Sequence, residues 1–451
     1  MEKHKLANYR KGILIGLFFF LTLYHAFYIF GIRGIDCPSN WLTLTGPCIL
    51  TKSLFLEMML WVAVILLMML ELKWEHGLHK FFHTCISNWP VFIFILFAVS
   101  SLIWSIQVGA SVSKVFPLIA STLAGIYIGS KFELHKILRM LAWLFVALCL
   151  GSLFFVFVFP SIGIMQYYFF RGGWAGIFWH RNYLGCFMAL GITVFLVNIL
   201  SSRKPFRFNF YLDITFFFIA AFLLFKSKSA TGIITAVVLL ITTLLFYGWA
   251  ILQRKLKLKH YLILGGVLIL GIAITLINLD FLFGLLGRDT SLTGRIPMWT
   301  YLYNNVISQR LLFGYGYGAL WFFEGFRVGF AAILGWSWPI MIGDNGFVDI
   351  LAHLGVVGLV ILIGLLIIGI YLAVKHLLQK GTLISAFPII FFVFVLVANI
   401  SLSLILETEV FTWMLGVALI ASIRSFPSKK SAGENQKIQK GAILRNRLTA
   451  G

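Results

Sequence analysis

Residues 346–374 read GFVDILAHLGVVGLVILIGLLIIGIYLAV, a stretch with no Lys or Arg and a single carboxylate, Asp349. About 20 apolar residues in a helix cross the hydrocarbon of a bilayer. A run this long and this apolar predicts a membrane-spanning helix. The same pattern recurs on both sides of it. Candidate spans fall at 12–32, 54–72, 90–105, 113–129, 137–159, 182–200, 210–225, 231–251, 261–280, 384–404 and 408–424. With 346–374 this predicts an all-α polytopic membrane protein of about twelve transmembrane helices. Residues 1–426 would form one integral-membrane domain and 427–451 a basic, disordered tail.

Composition agrees. The 451 residues are 61% hydrophobic and only 11% charged, where a soluble domain carries about 25% charge. The formal net charge of +21 would point to nucleic acid if it lay on a basic domain. It lies instead between the apolar runs, where basic residues hold topology. Of the 36 Lys and Arg, 25 flank one side of the predicted spans and 11 remain for the other. The richer side is the expected cytoplasmic one, so both termini are expected there. The run after Lys11 is long and aromatic, with no small-residue cleavage site behind it, and predicts an anchor helix and not a cleaved signal.

Five cysteines form no metal pattern. Cys37 and Cys48 share the first external loop and are a candidate disulfide, either bridged or free. Cys149 and Cys186 sit in apolar runs as packing residues. No Walker loop, no Gly-rich dinucleotide fingerprint, no Asp-x-Asp pair and no G-x-S-x-G elbow occurs, so the usual signs of nucleotide chemistry or serine hydrolysis are missing.

One external connection is long, 281–345, and long loops of this kind usually have a function. Within it, Met298, Leu302 and Val306 recur at helical spacing behind Pro297. They predict an amphipathic helix over 293–308, lying along the membrane surface. The following Gly314-Tyr-Gly-Tyr-Gly318 is a glycine-rich bend in this external loop.

Four polar clusters stand at outer ends of spans: Trp179 to Gly185, Lys226 to Gly232, Leu292 to Trp299 and Gly343 to Asp349. They array fixed cations and a carboxylate on one face. Guanidinium groups grip diphosphate oxygens in pairs, and Arg295 falls at a helix start, where free amides also favour an anion. Each cluster has a plainer alternative. Arg181, Lys226 and Lys228 can snorkel at the interface, and Asp344 can cap the span that follows.

Taken in order, the clusters resemble the O-antigen ligase and polymerase superfamily, in particular its exopolysaccharide polymerase (ExoQ-like) branch. The carrying residues are Gly176-Ile-Phe178 with His180-Arg-Asn-Tyr-Leu-Gly185. Next come Leu292-Thr-Gly-Arg295 with Trp299, then Gly314 to Trp321. Asp344-Asn345 closes the set, nine residues before Gly355-Val-Val-Gly358. The resemblance covers roughly residues 170–375.

It implies a GT-C-like glycosyltransferase with no cofactor and no metal. The donor would be an undecaprenyl-diphosphate-linked glycan. The acceptor would be another glycan in a polymerase or lipid A core in a ligase, and a chain-length regulator a further partner. The resemblance places the protein in the bacterial inner membrane, with the 281–345 loop periplasmic. Arg295 and Asp344 would be catalytic; His180, Arg181, Asn182, Lys228, Asn345 and Trp299 would bind substrate. Two departures stand out. Asp344 replaces the family histidine, and a carboxylate is ordinarily the weaker base. Ala230 precedes Thr231 where relatives carry a cation, leaving Lys226 or Lys228 for that role. By the resemblance, the Gly314 to Gly318 stretch followed by Trp321 favours polymerase over ligase, and outer-face clusters favour either over a transporter, which would use a midplane site.

Overall fold

Backbone that crosses lipid must pair its own amides, and a helix does so within one segment. The computed structural model describes residues 50–74, 77–166, 172–202, 207–252, 295–323, 343–404 and 409–426. Among these the fold is all-helical, apart from an isolated bridge between Ile164 and Trp174. In chain order α1 is Leu50–Trp74, α2 Leu78–Ser87, α3 Trp89–Ser100, α4 Val108–Lys131, α5 Leu134–Val158 and α6 Arg181–Ser201. Then come α7 Phe208–Ser227, α8 Ala230–Leu252, α9 Arg295–Asn305, α10 Gly346–Lys380, α11 Leu383–Ala398 and α12 Glu409–Ser425.

Six of these helices, α4 to α8 and α10, are long and apolar enough to cross a membrane. α2 and α3 pass that test together as a pair bent by 77°. The chain is therefore a multi-pass membrane protein. Spans expected at 12–32 and 261–280 lie outside the described residues, as do the Cys37–Cys48 pair and the 427–451 tail. So does Leu292. α2 was not foreseen: residues 73–89 read as a connection because Lys73, Glu75, Lys80 and three His interrupt the apolar pattern. Here Phe81 and Thr84 are buried, and Pro90, which has no amide to donate, begins α3 after the bend.

α6 forms the centre, packed against α5, α7, α8 and α11, while α12 lies along α4. That second pairing is fixed by Trp413 Nε1 donating to Thr122 Oγ1 at 2.7 Å and Ser422 Oγ donating to the Phe132 carbonyl at 2.8 Å. α10 turns Val360, Ile363, Ile367 and Tyr371 outward, an apolar face suited to lipid. The end of the bundle far from the polar clusters is closed by ion pairs. Arg139 holds Asp213 through two bonds of 2.9 and 2.8 Å, and Lys131 meets Glu71 at 3.3 Å.

α10 is not continuous. Gly355 has φ +67° and ψ −169°, a region open essentially to Gly alone. The break frees backbone groups on both sides, and the Gly-Tyr-Gly loop takes them up. Tyr315 and Gly316 amides donate to Ala352 and His353 carbonyls at 3.2 and 2.9 Å. Val356 and Val357 amides donate to Leu311 and Leu312 carbonyls at 2.8 and 3.2 Å. Non-helical backbone at this depth is tolerated because protein satisfies it. The glycines of the bend thus approach the protein's own chain. β-Carbons at 314, 316 and 318 would strike His353, Ser105 and Lys114.

Candidate functional site

The first two clusters meet where α6 crosses α8. Gly185 and Gly232 bring the two backbones into direct contact: a β-carbon on Gly232 would sit 2.6 Å from the Gly185 Cα. Ser229 Oγ then donates to Asn182 Oδ1 at 3.0 Å and accepts the Gly232 amide at 3.0 Å. His180 caps α6, its Nδ1 accepting the Asn182 amide at 3.2 Å. Arg181 is the first, buried residue of that helix. The two lysines of the turn separate. Lys226 Nζ stands over the Trp174 and Phe222 rings at 5.5 and 5.7 Å, as an interfacial anchor does. Lys228 adopts φ +52° at the end of α7 and extends over Gly172, its Nζ 3.5 Å from where a β-carbon there would lie.

The third and fourth clusters meet through an ion pair. Arg295 opens α9 and is only 9% exposed. Its Nε donates to Asp344 Oδ2 at 3.1 Å. Trp299, one turn on, donates Nε1 to the Gly343 carbonyl at 2.7 Å. Asp344 holds a left-handed φ of +50° with its carboxylate about a third exposed.

Asp344 is not the cap of α10. Asn345 is: its Oδ1 accepts the Phe347 and Val348 amides at 3.0 and 3.1 Å, and its Nδ2 donates to the Ile400 carbonyl at 3.1 Å. The Asn345 side chain is therefore occupied within the protein. Asp349 is 1% exposed and accepts from Trp321 Nε1 at 2.9 Å and the Gly343 amide at 3.0 Å, and also from the Ser403 hydroxyl. It ties the loop, α10 and the 399–404 turn to one another.

That turn joins the two halves. Ser401 Oγ donates to Thr231 Oγ1 at 2.8 Å, and the Gly346 amide donates to the Asn399 and Leu402 carbonyls at 3.0 Å. The eleventh span was expected to continue to 404, but α11 ends at Ala398. The polar alternation Asn399, Ser401, Ser403 was the signal, a period that no spanning helix needs. Lys114 of α4 was likewise missed. Its stem lies against Gly318.

The α9 apolar face is as read, with Met298, Leu302 and Val306 all buried. It does not lie on the membrane. Tyr315, Leu320, Trp321 and Ala352 cover it, so the loop folds on itself. Burial raises the Tyr315 phenol above its ordinary range, and its hydroxyl donates to the Val306 carbonyl at 3.0 Å.

All eight predicted site residues are thus linked at one end of the bundle through hydrogen bonds, an ion pair or chain neighbours. Residues 215–363 match the family described as O-Antigen ligase. Over 314 residues the chain is 24% identical to the "Exopolysaccharide production protein ExoQ" of Rhizobium meliloti (strain 1021). Both findings support the O-antigen ligase and ExoQ-like superfamily. The ExoQ match covers 64% of this chain and 66% of that relative, just under two thirds of its length. The O-antigen ligase match holds Lys228, Arg295, Trp299, Asp344 and Asn345, and begins after His180 to Asn182.

Proposed function

We propose that this protein is a lipid-linked-oligosaccharide glycosyltransferase of the O-antigen and exopolysaccharide type, acting as a polymerase at the periplasmic face of the bacterial inner membrane. The reading rests above all on one observation: Arg295 and Asp344, 49 residues apart, pair at the end of the bundle where the other polar clusters gather. The frame would be a GT-C-like domain over 1–426, with about twelve spans, both termini cytoplasmic and 427–451 as the basic tail.

The chemistry follows from the groups present. The donor is a glycan joined through its anomeric carbon to undecaprenyl diphosphate. Arg181, Lys228 and Arg295 hold and neutralise the diphosphate, where fixed cations in a dry site act most strongly. Asp344 accepts the proton of the acceptor hydroxyl. The acceptor oxygen attacks the anomeric carbon from the face opposite the diphosphate, and the carbon–oxygen bond to diphosphate breaks. Its electron pair leaves on the diphosphate, so the configuration inverts. His180, Asn182, Asn345 and Trp299 shape the pocket around these atoms. Because Asp344 lies on Arg295, an arriving diphosphate competes for the guanidinium and releases the carboxylate for the acceptor.

Polymerase is the first reading, with another lipid-linked glycan as acceptor and a chain-length regulator as partner; the likeness to an exopolysaccharide production protein is in keeping with it. The O-antigen ligase match keeps ligase, with lipid A core as acceptor, as the second reading. Complementation separates them. Long glycan restored in polymerase-null cells supports the first. Rescue of ligase-null cells alone supports the second. Rescue of neither, by a protein made at normal levels, ends both.

A further inference from the structure

A second feature lies between α3, α10, α11 and α12, an apolar groove. Its walls include Leu362, Leu366, Phe392, Val395 and Trp413. It carries no carboxylate, and its one charged lining residue is Arg424. Arg424 and Asn88, also in the lining, stand at the ends of α12 and α2 that point away from Asp344 and Arg295. Among the described residues Arg424 makes no hydrogen bond and no ion pair. A second cation is close by, since Lys80 Nζ stands 4.4 Å from the ring centre of Phe426.

A half-buried guanidinium without a partner at the mouth of an apolar groove calls for an anion with a long apolar tail. We propose that the groove binds an anionic glycerophospholipid, one acyl chain between α10 and α12 and its phosphate on Arg424. On the proposed topology this is a lipid of the cytoplasmic leaflet. The chain's two basic ends suit the place poorly. Residues 1–11 hold four Lys or Arg against one Glu, and 427–451 hold six against one, so either would set like charge on Arg424. The donor's diphosphate belongs at the opposite end of α10. The site is separate from the chemistry and stands whether or not the glycosyltransferase reading does.

Native mass spectrometry of the full chain, released from nanodiscs of equal dioleoylphosphatidylglycerol and dioleoylphosphatidylcholine, tests this. The lipids differ only in headgroup. The wild type is expected to retain the anionic lipid about fivefold over the zwitterionic one, the weight of one basic side chain at an anionic surface. Arg424→Gln should keep a bound lipid and lose the preference. Gly416→Leu should lose both lipids, because a β-carbon at 416 meets only the Phe391 ring, at 3.4 Å, and the rest of the side chain fills the groove. Leu favours helix over Gly, so that variant is expected to fold. Equal retention of the two lipids by the wild type would overturn the proposal. So would an unchanged preference in Arg424→Gln, or unchanged retention in Gly416→Leu. Displacement of the anionic lipid by equimolar polyprenyl phosphate would give the groove to the substrate's tail instead.

Discussion

Two arginine–aspartate pairs stand at opposite ends of this bundle, and they are built differently. Arg139 and Asp213 join α5 to α7 through two bonds of 2.9 and 2.8 Å, with the Asp213 side chain 2% exposed. Arg295 and Asp344 share one bond of 3.1 Å through Nε, with the carboxylate 32% exposed on left-handed backbone. The first geometry uses both carboxylate oxygens and both terminal guanidinium nitrogens, and is closed. The second leaves the terminal guanidinium nitrogens outside the pair and one carboxylate oxygen unused by it. A fork against a fork fixes helices; a single edge contact can be exchanged for a ligand. The same two residue types therefore serve fold at one end and, on the proposed reading, chemistry at the other.

Removing each arginine is the strongest way to break that contrast. Arg139→Ala strands the buried Asp213 carboxylate, a loss of about 3–5 kcal/mol. It should lower the unfolding midpoint in detergent and leave glycan made per folded molecule unchanged. A fall in turnover with the midpoint intact would erase the distinction. Arg295→Ala should act the other way round. Removing one charge-stabilising donor costs about 10²-fold or more in turnover, here with little change in midpoint. Single repeats in place of long glycan, at normal protein levels, are the expected gel result.

How much of this was legible differs between the ends. Spanning helices are written in long apolar runs, so α4 to α8 and α10 came within a few residues of their bounds. The four clusters were legible because each couples a charge to the end of such a run. The joins between them were not. The Arg139–Asp213 and Arg295–Asp344 pairings depend on how helices cross, which no local pattern records. The break at Gly355 hides in a run rich in Gly, where only the loop opposite explains it. Asn345 read only as a substrate ligand, because nothing local distinguishes it from a cap; its bonds to the Phe347 and Val348 amides show that it is also the cap. The apolar face of α9 was correctly drawn and wrongly housed, because its cover, Trp321 and Ala352, comes from distant sequence.

Asp344→Asn sharpens the comparison within the site itself. If the carboxylate competes with the donor for Arg295, the amide should abolish turnover and yet tighten donor binding. With its carboxylate a third exposed to solvent screening, the pair is taken to contribute about 1 kcal/mol, or about fivefold. Titration with undecaprenyl diphosphate reads this directly. Weaker binding would mean that Asp344 supports the donor and does not compete with it.

The smallest change is the most selective. Trp299 touches neither charge of the pair but donates to the Gly343 carbonyl beside Asp344. Trp299→Phe keeps most of the ring and removes that one neutral hydrogen bond, worth about 0.5 kcal/mol at the low end. If the bond aims the carboxylate, turnover should fall about twofold with donor affinity unchanged, since Arg295 stays in place. If donor affinity falls while turnover holds, Trp299 acts on the donor itself, and the substrate-binding role first assigned to it stands in place of the aiming one. The closed pair offers no counterpart to this test, because Arg139 and Asp213 hold each other through both of their oxygens and nitrogens and need no third residue to set their angle.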